Sequence, residues 1–181
     1  YLGSAYTTRA FVPYMVAKSK SSRDGNTPAR AIVFTSSMAG QCGLYGFTAY
    51  AASKYALRGL AEALHMELDR ENISVQMAFP PDTDTPGFEE EQVGKPEETK
   101  LMSETAGLFD AEKVARTIVA SSLKSRPPFQ IYFGLEGWML AMLTAGMSPA
   151  QTTLDTMVQI FLKGLFRLIS LFYLMDFRNI V

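Results

Sequence analysis

The chain has 181 residues, 48% of them from the set AVILMFWYC and 19% charged, with a formal net charge of −1. One domain is expected at this length, with roughly two thirds of the unfolded surface buried on folding. Balanced charge sets aside nucleic acid as a partner, and one cysteine (Cys42) with one histidine (His65) leaves neither a disulfide framework nor enough soft ligands for a metal site.

The first residues lack an initiator Met and the basic, apolar and small-residue zones of a signal peptide, so the chain is expected to start in mid-protein. Leu2, Ala5, Tyr6, Phe11, Val12, Met15 and Val16 recur at helical spacing. Residues 19–30 form a polar turn cluster, and the apolar run Ala31 to Phe34 reads as a buried strand of the parallel type. Gly40, Gly43 and Gly46 keep the next segment irregular, after which Thr48 to Arg70 is rich in Ala and Leu and predicts a long helix. A second strand runs from Ile73 to Phe79 and stops at Pro80 and Pro81, which have no amide to give to a ladder. A loop rich in Asp, Thr, Pro and Glu extends to about Lys100. Asp110 then caps a helix through Leu123, Pro127 and Pro128 break the chain, and residues 129–133 predict a third strand. Strands alternating with helices predict an α/β fold with a parallel sheet.

Chemistry concentrates on the long helix. Tyr50 and Lys54 stand four apart, so an ammonium lies one turn from a phenol and is expected to favour the phenolate. A phenol so tuned is a general acid for an oxygen that gains negative charge, and Ser37, at the end of the preceding strand, has a hydroxyl suited to hold that oxygen. Tyr-x-x-x-Lys pairs arise about 0.35 times by chance in this composition, and a serine thirteen residues upstream cuts that to roughly 0.03. The pair alone is weak; the triple is informative.

The stretch IVFTSSMAGQCGLYGFTAYAASKYAL resembles the active-site segment of the short-chain dehydrogenases/reductases, whose Ser, Tyr and Lys fall on Ser37, Tyr50 and Lys54. The resemblance implies that Tyr50 protonates a substrate carbonyl oxygen, that Ser37 orients the carbonyl, and that Lys54 holds the nicotinamide ribose. The segment AFPPDTDTPGFEEE lies where that family has Pro-Gly-x-x-x-Thr, with Pro80 and Thr85 in register and Pro81 in place of glycine. Pro80, Thr83 and Thr85 are the implied cofactor contacts beside Tyr50 and Lys54. Together with GLYGFTAYAASKYALRGLAEALHMEL, the Pro-Pro-Asp-Thr-Asp-Thr-Pro-Gly-Phe string is similar to one branch, the 3-ketodihydrosphingosine reductases.

That branch implies NADPH as cofactor, a long-chain keto-sphingoid substrate, and the endoplasmic reticulum membrane with the active site facing the cytosol. It also implies a homo-oligomer formed through the helix of Tyr50. The family's Thr-Gly-x-x-x-Gly-x-Gly turn is absent from this sequence, and its catalytic Asn would fall just before Tyr1. The expected architecture is therefore the C-terminal half of a Rossmann-like doubly wound parallel sheet. Residues 1–147 would form the partial catalytic half and 148–181 an apolar helical extension. A sterol or retinol dehydrogenase and a noncatalytic membrane-associated module are the alternatives.

The remaining features have plainer readings. His65 and Cys42 are expected to pack, with nothing beside Cys42 to lower its pKa. Glu89, Glu90, Glu91, Glu97 and Glu98 make either a solvated loop or, by resemblance, a substrate lid. Ser148-Pro149-Ala150-Gln151 has capping-box spacing, which places a helix start there. From Met157 to Met175 large apolar residues dominate, while Asp155, Gln159, Lys163, Arg167 and Ser170 form one narrow polar stripe. Apolar gain and the cost of two central cations nearly cancel for a spanning helix. The stripe favours a helix lying in the interface, with Lys163 and Arg167 toward headgroups.

Overall fold

The computed structural model describes residues 1–21, 30–150 and 152–181. In chain order, α1 (Leu2–Ser21) leads to β1 (Arg30–Thr35), and a 3-10 turn (Met38–Gly40) precedes α2 (Thr48–Leu68) and β2 (Ile73–Phe79). There follow β3 (Thr83–Asp84), α3 (Pro86–Gln92), α4 (Glu97–Glu104), β4 (Phe109–Asp110), α5 (Ala111–Ser122), β5 (Gln130–Tyr132), α6 (Gly134–Leu143) and α7 (Thr153–Ile180). Residues 22–29 of the expected turn cluster and Gln151 lie outside the described residues, and 19–21 complete α1.

β2 is the centre of a parallel sheet ordered β1-β2-β5, with Arg30 opposite Ile73 and Thr35 opposite Ala78. Its alternation sorts the two layers. Ile73, Val75, Met77 and Phe79 join Phe34 and Phe129 against Leu57, Ala61 and Leu68 of α2, with Val12, Met15 and Val16 of α1 at the margin. Ala78 turns the other way, into a second cluster with Ile131, Phe133 and Val114 of α5. Gln76 also faces that layer; its amide is wholly buried and donates to the carbonyls of Ser121 and Pro128. Helices therefore cover both faces of the sheet, as the α/β pattern predicts.

Three segments differ from the sequence reading. The supposed loop before Lys100 contains two helices. Thr85 caps α3 by accepting from the Phe88 amide at 3.1 Å, Pro86 occupies the first helical position, and Glu97 and Glu98 fill the first turn of α4, where acidic side chains suit the helix dipole. Ser148 does not start the last helix. Its hydroxyl is held by Arg58 (2.7 Å) and Glu62 of α2, and Thr152 takes over as cap, accepting from the Asp155 amide at 3.0 Å.

The third difference concerns the start of the α7 polar stripe, where Asp155 and Gln159 turn inward while Lys163 and Arg167 stay exposed. Asp155 is 7% exposed, the Gln159 amide meets the Met142 sulfur, and Arg167 and Ser170 line a cavity. The outer face instead carries exposed Phe161, Leu165, Leu168, Phe172 and Met175. The reason is packing: α6 offers the inner face the Met142 sulfur and a hydrophobic cluster in which Trp138 meets Phe166 edge-on at 5.5 Å. At 28 residues α7 extends about 42 Å, and it is apolar enough to cross a bilayer of about 30 Å.

Asp110 caps α5 as expected, accepting from the Lys113 amide at 2.7 Å. Asp110→Ala is expected to cost about 1 kcal/mol of stability, read as a lower urea midpoint with an unchanged slope.

Candidate active site

The site forms where β1 and β2 end side by side. Past its last residue β1 keeps the parallel register, with the Ser36 amide donating to Ala78 O at 2.8 Å and the Met38 amide to Pro80 O at 3.1 Å. The chain then tightens into the 3-10 turn, which Ser37 caps by accepting from the Ala39 amide at 3.2 Å. Gly40 lets this turn lie directly on α2. A Cβ there would overlap Ser36 Oγ and come within 3.1 Å of Lys54 Cβ and 3.3 Å of the Lys54 carbonyl carbon. Ser36 Oγ in turn donates to Lys54 O at 3.3 Å. The turn thus fixes Ser37 over the first turns of α2.

The Ser37 side chain faces the Tyr50 phenol closely enough to lower its pKa, and Phe47 packs on that ring with centroids 5.0 Å apart. Lys54 does not reach toward the phenol oxygen. Its Nζ donates to Thr35 O at 3.1 Å and sits 5.4 Å from the centre of the Tyr50 ring. The site therefore corrects one sequence expectation. Burial pushes the Tyr50 phenol above its ordinary value, the Ser37 side chain opposes this, and the nearby carboxylates of Glu91 and Asp82 add to the rise. Burial likewise holds Lys54 below the usual lysine value. Tyr50 remains a protonated donor at neutral pH, the form a general acid needs.

The sequence reading did not single out the group that fixes this field. Lys95, whose side chain is almost fully buried, pairs with Asp82 (3.4 Å) and Glu91 (3.2 Å) and lies over the rings of Phe47 and Phe88 at 5.3 and 5.5 Å. It ties the segment after β2 and α3 to the residue before α2. The four-residue spacing from Glu91 to Lys95 was the available signal. Thr99 adds a second tie, donating to Tyr45 O at 2.8 Å beneath Gly46, whose φ of +76° a side chain would strain.

A cavity of about 440 Å³ opens from Ser37, within the range of about 300–1,000 Å³ for small-molecule sites. Its walls are mostly apolar, with Met38, Leu44 and Phe47 near Ser37 and Met139, Leu140 and Leu143 from α6. Gln41, buried in this wall, accepts from Thr144 at 2.9 Å, while its Nε2 has no partner among the described residues. A buried amide without a partner offers a ligand one hydrogen bond.

The other sequence candidates fall nearby. Pro80 O meets Met38, Pro81 lines the cavity, Thr83 donates to Pro81 O at 2.9 Å, and Thr85 spends its oxygen on the α3 cap while keeping its proton to donate. Cys42 also lines the cavity, with its thiol pushed up by burial, and His65 packs edge-on against Phe129 at 5.3 Å.

The short chain dehydrogenase model matches residues 1–95. The chain belongs to the short chain dehydrogenase family. It is 51% identical over all 181 residues to a 3-dehydrosphinganine reductase of Danio rerio, and 49% identical, again over 181 residues, to a 3-ketodihydrosphingosine reductase of Mus musculus. Each alignment covers 100% of this chain and 51% of the relative, so the chain spans about half the length of the curated relatives it matches. A solved short-chain dehydrogenase from Streptomyces avermitilis superimposes with a TM-score of 0.58 at 23% identity, over 77% of this chain and 51% of that one. That likeness supports the fold. Family members use nicotinamide cofactors, and the donors here suit the nicotinamide end: a phenol, an ammonium with two N–H groups beyond the one given to Thr35, and the Thr85 hydroxyl.

Gly40→Ala is expected to leave the fold intact but lift the turn off Lys54, lowering turnover of the full-length protein by about 10²-fold. Unchanged circular dichroism with lost turnover is the expected pair of readings.

Proposed function

We propose that this chain forms the carbonyl side of an NADPH-dependent 3-ketodihydrosphingosine reductase, which reduces the 3-keto group to the hydroxyl of dihydrosphingosine in sphingolipid synthesis. Residues 1–147 supply the catalytic half, the dinucleotide phosphates are held by sequence outside 1–181, and residues 148–181 associate with the endoplasmic reticulum membrane. The observation that carries the reading is that Ser37 serves two surfaces at once. Its side chain acts on the Tyr50 phenol, lowering its pKa against the effect of burial, and Ser37 itself lines the mostly apolar cavity. Relatives bearing that reductase name align over the full chain, which supports the substrate class.

In this reading the ketone oxygen accepts from Ser37 Oγ and Tyr50 Oη. Bound nicotinamide supplies the hydride. Tyr50 gives its proton to the oxygen as negative charge develops there, and its raised pKa keeps the proton in place until then. Lys54, anchored by Thr35 O, directs its remaining N–H groups to the ribose hydroxyls. Thr83 and Thr85 lie on the segment facing the carboxamide. The apolar walls receive the substrate's tail and keep water from the reacting carbon. The apolar outer face of α7 supports membrane association, and cytosolic orientation follows the resemblance.

Assay of the full-length protein with 3-ketodihydrosphingosine is expected to show ketone-dependent oxidation of NADPH in preference to NADH; no oxidation of either overturns the reading. Tyr50→Phe should lower single-turnover hydride transfer by about 10²–10⁴-fold, and a rate within about tenfold of wild type would remove Tyr50 from its role. Lys54→Met should slow turnover and weaken cofactor affinity together. The pH profile tests the carboxylates: removing the charge of Glu91 by Glu91→Gln eases ionisation of Tyr50. Its alkaline limb, which marks loss of the phenol proton, should therefore move to lower pH.

A further inference from the structure

We propose that the inner face of α7 is the wall that receives the substrate's hydrocarbon tail and sets the chain length the enzyme accepts. The reductase reading supplies the polar head of this ligand; the tail site rests on the geometry of α7 alone.

Besides Arg167, six residues of α7 line the cavity that begins at Ser37: Phe166, Ile169, Ser170, Tyr173, Leu174 and Phe177. Their spacing of three, one, three, one and three is that of a single helix face. At 1.5 Å per residue the stretch runs about 16 Å, which suits an extended tail better than a compact ring system. The opposing wall is largely apolar, with Met102 of α4 and Met139, Leu140 and Leu143 of α6, and Ser103, Thr105, Glu136 and Thr144 are its polar members. Methionine side chains adapt their shape, which suits a flexible chain. Arg167, the one cation on this lining, is exposed and leans its guanidinium on Ser170 (3.4 Å), so it borders the cavity rather than filling it.

The two faces of α7 are both apolar yet meet different surroundings. Leu168, Leu171, Phe172 and Met175 are exposed and do not line this cavity, while the cavity face runs from buried Phe166 to Tyr173 and Leu174, which remain exposed at its open end. An anchor alone needs only the outer face. The inner face adds a mostly apolar wall to the cavity that reaches from the carbonyl-binding hydroxyl to the far part of the helix, and its occupant is an unbranched alkyl tail.

The test uses the full-length protein in nanodiscs of saturated phosphatidylcholine. Ser170→Phe and Leu174→Phe add bulk to the cavity face, whereas Leu171→Phe and Met175→Phe change the outer face beside them. Turnover is compared for short-tailed and long-tailed 2-amino-3-ketones. The cavity-face variants are expected to lower kcat/KM for the long tail about tenfold relative to the short one, and the outer-face variants to leave that ratio unchanged. A ratio that stays fixed in the cavity-face variants, or shifts equally in both sets, overturns the proposal. A second readout is independent of chemistry. Trp138 packs on Phe166, so a long alkylamine brominated along its tail should quench the fluorescence that Trp138→Phe removes. If no ketone is reduced by the wild type, the reductase reading fails by itself. Quenching lost in Ser170→Phe then still supports the tail site, and absence of quenching in the wild type overturns it.

Discussion

The site depends on how closely the turn after β1 approaches α2. Gly40 has no side chain, so the 3-10 turn can rest on the backbone of Lys54, and that contact sets where Ser37 stands relative to Tyr50. The parallel register of β1 and β2 leads into it, because the hydrogen bonds Ser36–Ala78 and Met38–Pro80 extend the sheet one step past the strands. Sheet, turn and helix are therefore a single rigid support. A hydroxyl presented to a carbonyl is only as well placed as the backbone that carries it.

Electrostatics at Tyr50 follow from what surrounds it more than from the lysine one turn away. Lys54 is drawn to the Thr35 carbonyl, and burial together with two carboxylates favours the neutral phenol. Those carboxylates share one buried lysine, Lys95, held between two aromatic rings. Truncating that lysine would leave two charges facing each other in a partly dry place, a costly arrangement. The acidic segment expected as a loop or a lid is thus a folded cover of α3 and α4 pinned to the site from above.

α7 shows how composition can hide orientation. Its hydropathy leaves spanning and interfacial placement balanced, and its narrow polar stripe favours the interface with the cations toward headgroups. Tertiary packing divides the stripe: Asp155 is buried beside its cap Thr152 and Gln159 meets the Met142 sulfur on the inner side, while Lys163 and Arg167 stay exposed. A helix with that arrangement contributes to the core, to the cavity and to an apolar outer surface together.

Much of the fold was legible in the residues. The strand from Ile73 to Phe79, the Asp110 cap, Pro80 and Pro81 as a stop, and the four-residue spacing of Tyr50 and Lys54 each reside within a few consecutive positions, where local sterics and hydrogen bonding determine the outcome. The tertiary structure decided the rest. The direction of the Tyr50 shift, the capture of Ser148 by Arg58 and Glu62, the seating of Lys95 over Phe47 and the contact of Gln159 with Met142 all join separate segments of the chain. The physical reason is that burial and electric field at a side chain are set by everything packed around it, whereas periodicity and capping are set by its own neighbours along the chain.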